Sequence, residues 1–182
     1  MGNREDLLAG AKRCLFDKGF ARTTARDIAT TSGVSLAAIG YHFGTKEALL
    51  TTALQEAIAD WGAGLADTLR GATDLASAWT LVLDSFAASG PLWAVQLELV
   101  SQLSRDPALR ATFAGSNRQA RAGLVDLFRS LHPDLDPADA DRLGALYQAL
   151  LVGSAATWLA DPDSAPAAAD LLAAMKLVSA QT

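Results

Sequence analysis

Residues 23 to 46, TTARDIATTSGVSLAAIGYHFGTK, constrain this chain more than any other part of it, because they read as two short helices joined by a glycine turn. Thr24 opens the first. Its hydroxyl can accept from an early helical N–H, and Asp27 stands where the acidic partner of a capping box stands. Ile28 and Ala29 supply an apolar face, Gly33 can take the left-handed conformation that ends a helix, and Val34 can plug the turn. Ser35 is placed to cap the second helix, residues 36–43, with Ile39 and Phe43 on one side and Leu36, Ala37, Gly40 and Tyr41 on the other. So short a helix cannot stand alone in water and needs its predecessor and a third helix. Residues 5–18 provide that third helix, with Leu8, Ala11, Leu15 and Phe16 at helical spacing and Gly19 as the stop. The arrangement is that of a helix-turn-helix, which lays its second helix in the major groove of DNA.

The rest of the chain reads as helix throughout. Leu49, Leu50, Ala53, Leu54, Ala57, Ile58, Trp61 and Leu65 recur at helical steps and predict one long helix over 46–70. Glycine and proline punctuation near Gly71, Gly90-Pro91, Asp106-Pro107, His132 to Pro137 and Asp161 to Pro166 then divides the remainder into helices over 74–89, 91–104, 107–131, 138–160 and 165–180. Hydrophobic residues make up 51% of the 182 and no β-branched runs lie between turn signals, so the expected class is all-α, with eight or nine helices.

Charge is divided unevenly. The whole chain carries −5, but the first fifty residues hold seven Lys or Arg against five acids, and the remainder eight against fifteen. A basic head on an acidic body would be steered head-first toward a polyanion. A single cysteine, Cys14, excludes an internal disulfide and suits a reducing cytoplasm. Asp6 stands where a myristoylation signal wants Ser or Thr, no secretory leader is visible, and the apolar run from Ala145 to Ala160 is short for a bilayer, so a soluble cytoplasmic protein is expected. His42 and His132 are the only histidines, which leaves no metal constellation, and neither a Ser-His-acid set nor a phosphate loop appears. No metal, cofactor or enzymatic activity is expected.

Gly19-Phe20, Thr23-Thr24, Asp27-Ile28-Ala29, Ser32-Gly33-Val34-Ser35 and Tyr41-His42-Phe43-Gly44-Thr45-Lys46 together resemble the N-terminal signature of TetR-type (tetracycline repressor) transcription regulators. The likeness covers the first fifty residues or so. It implies a helix-turn-helix DNA-binding domain over 1–46 and a helical regulatory domain over 47–182 that binds a ligand and dimerises. It also implies groove-facing roles for Leu36, Ala37, Ala38, Gly40, Tyr41 and His42, and phosphate contacts from Thr24, Arg26, Ser35, Tyr41, His42 and Lys46. Small side chains such as Ala37 and Ala38 let a helix approach thymine methyls, and hydroxyls and a lysine suit phosphate oxygens. Leu36 replaces a position often Lys in that family and Gly40 one often aromatic or Asn, so readout should lean on Arg26, apolar contacts and DNA shape.

The resemblance also implies a homodimer through the last two helices. Leu143, Leu146, Tyr147, Leu150, Leu151 and Trp158 form a broad stripe, Ala145, Ala149, Gly153, Ala156 and Ala160 a small-residue side, and Leu171, Leu172, Met175 and Val178 a matching face. Trp61, Trp79, Trp93, Gln96, Gln102, Phe113, Asn117, Arg121 and Tyr147 would line an aromatic, sparsely polar pocket if they converge, fit for an apolar or aromatic small-molecule effector. The expected function is a ligand-responsive repressor on a palindromic double-stranded operator. An activator of the same fold, or a helical ligand carrier or enzyme, stays open at this point.

Overall fold

Helix ends in this chain are made by side chains that sit next to them in sequence. Asp106 accepts from Leu109 N–H at 2.9 Å to start one helix, and Asp136 accepts from Ala138 N–H at 2.8 Å to start the next, with Pro137 in its first turn. The computed structural model describes residues 3–180. Among them run α1 (Asn3–Lys18), α2 (Ala25–Ser32), α3 (Leu36–Phe43), α4 (Lys46–Leu69), α5 (Leu75–Val100), α6 (Pro107–Leu131), α7 (Pro137–Ala160), a 3₁₀ turn (Pro162–Ser164) and α8 (Ala168–Ser179), with no strand among the described residues.

One expected break is absent. The helices predicted over 74–89 and 91–104 are a single helix, α5, which runs through Pro91. Proline removes the N–H that would reach the Ala87 carbonyl, but Ala87 and Pro91 are both exposed, so water can donate to that oxygen. Gly90 has no Cβ for the proline ring to press on. Just upstream, the Ser85 and Ser89 hydroxyls donate to the carbonyls of Val82 and Ser85, at 2.6 and 2.7 Å. The helix ends at Val100, and residues 101–105 form turns instead of helix.

The chain forms two compact units. The first holds the described residues up to Ala63 together with Pro91–Leu109. Leu7, Ala11 and Leu15 of α1, Ile28 of α2, Leu49, Leu50 and Ala53 of α4 and Leu99 of α5 are fully buried in it. Each such Leu or Ile stabilises by about 1.5–3 kcal/mol relative to exposure. Helices α1 and α2 approach so closely that a Cβ on Gly10 would stand 2.7 Å from Ser32 Cβ.

The second unit holds Gly64–Gly90 and the described residues from Arg110 onward. Its centre is Trp79, Phe128, Tyr147 and Ala168, surrounded by Leu143, Leu150, Leu151, Leu171, Leu172 and Met175. Tyr147 stacks on Trp79 with ring centres 5.5 Å apart and meets Phe128 at 4.6 Å. Burial pushes the Tyr147 hydroxyl pKa up. By length and composition alone helix α7 passes for a bilayer span, an 18-residue stretch of it having a mean hydropathy of 1.3, and it is longer than the apolar run its sequence suggested. Its Ala140, Gly144, Tyr147, Ser154 and Ala155 are nonetheless buried within this unit.

Candidate nucleic-acid interface

The start of α2 and its turn into α3 are built locally. Thr24 Oγ1 accepts from Asp27 N–H at 3.1 Å, and an Asp27 carboxylate oxygen accepts from the Thr24 N–H at 2.9 Å and the Thr24 hydroxyl at 2.7 Å. This is the capping box that the sequence spells. Lys18 Nζ closes on the other Asp27 oxygen at 2.6 Å. Lys18, then the Thr24 N–H and hydroxyl, hold the Asp27 carboxyl well below the usual carboxylate range. Gly33 takes the left-handed conformation at φ 71°, ending α2 as its spacing required.

Ser35 departs from its expected role. It occupies the N-cap of α3, but its hydroxyl makes no capping bond, and the turn closes through Ala38 N–H to the Ser35 carbonyl at 3.0 Å. The hydroxyl is left open to an outside partner.

Helix α3 has one buried anchor and one bare face. Ile39 is 4% exposed, whereas Tyr41 is 86% and Leu36 52% exposed. Ala37 and Gly40 are also exposed, Ala38, His42 and Phe43 half-buried. Nothing lies within 4 Å of where a Gly40 Cβ would sit. The His42 ring meets Tyr41 edge-on at 4.8 Å, which steadies the tyrosine at its base. Of the six positions that the resemblance assigns to the groove, Leu36, Ala37, Gly40 and Tyr41 are exposed and Ala38 and His42 half-buried.

Most cations of the head are already engaged. Lys12 pairs with Glu56 at 3.3 Å and Asp60 at 2.9 Å, Arg13 donates to the Thr31 carbonyl at 2.8 Å, and Arg22 donates to the Lys18 carbonyl at 2.8 Å. Lys46 donates to the Thr23 carbonyl at 2.9 Å and pairs with Glu47 at 3.3 Å, so this residue staples α4 to the loop ahead of α2. Thr24's hydroxyl proton is committed to Asp27. The Arg4 guanidinium lies 5.2 Å from the centre of the Phe43 ring, a contact that no local signal in the sequence announces. Among the described residues of the head, two of the seven Lys and Arg are exposed with neither an ion pair nor a hydrogen bond, Arg4 and Arg26, and of these Arg26 alone lacks a ring contact as well.

The residues read as a possible effector lining fall in different places. Trp61 and Trp93 meet edge-to-face at 5.2 Å in the first unit, which also holds Gln96 and Gln102. Trp79 and Tyr147 belong to the buried centre of the second unit. There too, Gln148 links Asn117 and Arg121, donating to the Asn117 carbonyl at 2.9 Å and accepting from Arg121 Nε at 3.4 Å. Phe113, on α6, is half-buried in the same unit.

Comparison with known proteins agrees with this architecture. Residues 7–53 match the model of the N-terminal region of bacterial regulatory proteins of the tetR family. Residues 70–176, more than half of the chain, match the tetracycline repressor-like C-terminal domain. The chain is 30% identical over 114 residues to the HTH-type transcriptional repressor AcnR of Corynebacterium glutamicum, a match over 60% of this chain that spans 55%, about half, of that relative's length. A transcriptional regulator from Rhodococcus sp. Rha1 superposes with a TM-score of 0.73 at 23% identity, over 97% of this chain and 96% of its own. A TetR transcription regulator from Haloarcula marismortui does so with a TM-score of 0.66 at 22% identity, over 97% and 94%. These two likenesses speak for the fold. With the capped turn, the solvent-facing α3 and both family models in register along the sequence, the chain belongs to the TetR family of transcription regulators.

Proposed function

We propose that this chain is a repressor that binds a palindromic operator as a homodimer and lets go when a small apolar or aromatic effector enters its helical body. The exposed face of α3, Leu36 to Tyr41 opposite buried Ile39, is the observation that carries DNA binding. Its small residues bring the helix backbone near the base edges, where apolar contacts to thymine methyls are available. Arg26, Tyr41, His42 and the free Ser35 hydroxyl take the phosphates. Thr24 and Lys46 act chiefly by fixing the turn, because their polar groups already have partners inside the head.

The dimer reading is supported by what α7 and α8 leave in water. Leu146 and Val152 of α7 are 47% and 40% exposed, and Leu177 and Val178 of α8 are 65% and 66% exposed. Leu146, Ala149, Gly153 and Ala160 are exposed at steps that keep them on one side of α7, away from the stripe that packs on Trp79 and Phe128. Such a face suits a second copy of the same helix pair. An effector would then act by binding more tightly to the arrangement whose two heads are wrongly spaced, and can shift the equilibrium only by that difference in affinity.

A mobility shift with the DNA upstream of the chain's own gene, at two salt concentrations, tests this. The expected result is a discrete, saturable complex whose affinity falls as salt rises. Tyr41→Ala should weaken binding to all sequences alike, and Arg26→Ala should reduce the salt slope by about one per head. Failure to retard any duplex at low salt would overturn the reading.

A further inference from the structure

Glu98 has no role in the reading so far, yet its position is odd for a carboxylate. It lies on α5 between Val95 and Leu99, both buried, on the stripe that packs into the first unit. Its two oxygens accept from two consecutive backbone donors 77 and 78 residues away: Phe20 N–H at 3.0 Å and Ala21 N–H at 2.9 Å. Hydrogen bonds to an ionised acceptor are the strong ones.

The turn is shaped to receive this carboxylate. Gly19 has φ 81°, and a Cβ there would stand 2.7 Å from Glu98 Oε2. Phe20 is 7% exposed. The same short loop is held by α1, through the Thr23 hydroxyl to the Cys14 carbonyl at 3.1 Å, and by α4, through Lys46 to the Thr23 carbonyl at 2.9 Å. It leads directly into the Thr24 cap of α2, so whatever fixes the loop fixes the entry of the helix-turn-helix. Helix α5 is also the element that crosses from one compact unit to the other, the boundary falling at Gly90–Pro91. Proline at that point is where a helix bends most readily.

We propose that Glu98 is a positioning residue: through its carboxylate on the Phe20 and Ala21 amides, α5 sets the orientation of the DNA-reading head. Within the first unit the chain of action runs from α5 through Glu98 to the loop, and from there to α2 and α3. Releasing the carboxylate leaves the head on the core it shares with α4 and with Leu99 of α5, but lets the loop and α2 shift, so two heads accept a wider range of half-site spacings. This rests on the two-headed reading above.

The test uses duplexes carrying two copies of a half-site selected by the full-length wild-type protein from a random library, with the centre lengthened or shortened by one to three base pairs. Wild type is expected to show a sharp optimum. Glu98→Ala is expected to keep the optimum but to lose about tenfold of the discrimination against mis-spaced sites, the worth of about one charge-assisted hydrogen bond. Amide exchange at Phe20 and Ala21 should accelerate with it. Glu98→Gln keeps one acceptor in the same shape and should fall between the two; it carries the test should the alanine variant not fold. A sharp wild-type profile that folded Glu98→Ala and Glu98→Gln both reproduce overturns the proposal alone. A flat wild-type profile removes the two-headed reading and the proposal with it.

Discussion

The helix-turn-helix region and the second compact unit are both helical, but they are held together by different means. In the first, nearly every bend is closed by a named side chain on a named backbone group: Thr23 on Cys14 and Gly19, Thr24 with Asp27, Thr45 on Ala48, Lys46 on Thr23, Glu98 on Phe20 and Ala21. In the second, the centre is an aromatic stack of Trp79, Tyr147 and Phe128 with leucines around it. Directional bonds demand particular atoms at particular places, while apolar packing demands volume. The head should therefore resist substitution by chemistry, and the body only by size.

The largest effect expected is on the body. Phe128→Ala removes a ring that is 3% exposed and touches Tyr147, and should cost about 3–5 kcal/mol. Denaturant unfolding followed through tryptophan fluorescence reads this. Leu150→Met keeps the volume and should cost less than about 1.5 kcal/mol. If Leu150→Met proves as damaging as Phe128→Ala, packing in the body is as position-specific as the head's bonding and the contrast fails.

Next comes Thr23→Val, which keeps shape and removes only a hydroxyl. Thr23 is 1% exposed, and its Oγ1 donates to the carbonyls of Gly19 at 2.7 Å and Cys14 at 3.1 Å. Leaving buried carbonyls without that donor should cost about 1–3 kcal/mol, more than the methionine swap costs the body. A Thr23→Val protein as stable as wild type would place the head's strength in its apolar core instead.

The capping box is worth less. Thr24→Ala should destabilise by about 1 kcal/mol, read as faster amide exchange in α2. Its pH dependence has a definite sign. The Asp27 carboxyl is held low in the folded state, so the unfolded chain binds more protons and stability rises with pH through the titration. The contribution is complete above the unfolded pKa of about 4 and is lost as pH falls below it toward the depressed folded value. Asp27→Asn should flatten that acid limb, and an unchanged limb would assign it to other carboxylates.

What could be read in advance follows the range of the forces. The Thr24–Asp27 cap and the Gly33 turn span a few residues, so their chemistry is written locally. Proline 91 did not break α5, because the outcome depended on whether Ala87 faced water, which no local pattern states. Glu98 finds partners 77 and 78 residues away, and its only local trace is a carboxylate set between Val95 and Leu99 on an apolar stripe. Tryptophans look alike in a core and in a pocket. Trp79 and Tyr147 prove to be the centre of the second unit, while Trp61 and Trp93 pair in the first. Arg26 stood out only after the other cations of the head had found partners.

The smallest predicted change in stability, Gly40→Ala, separates folding from reading. The added methyl meets nothing within 4 Å in the protein, and alanine favours a helix over glycine by about 0.8–1.0 kcal/mol, so α3 should become more ordered and the head slightly more stable. If the Gly40 face lies in the groove, the same methyl comes between the helix backbone and the base edges, and affinity should fall while stability rises. Opposite signs in a melting curve and a mobility shift would fix Gly40 on the reading face, beside Leu36, Ala37 and Tyr41. If both quantities rise together, the glycine is only a weak point in the helix, and the groove must be met by a face rotated away from it.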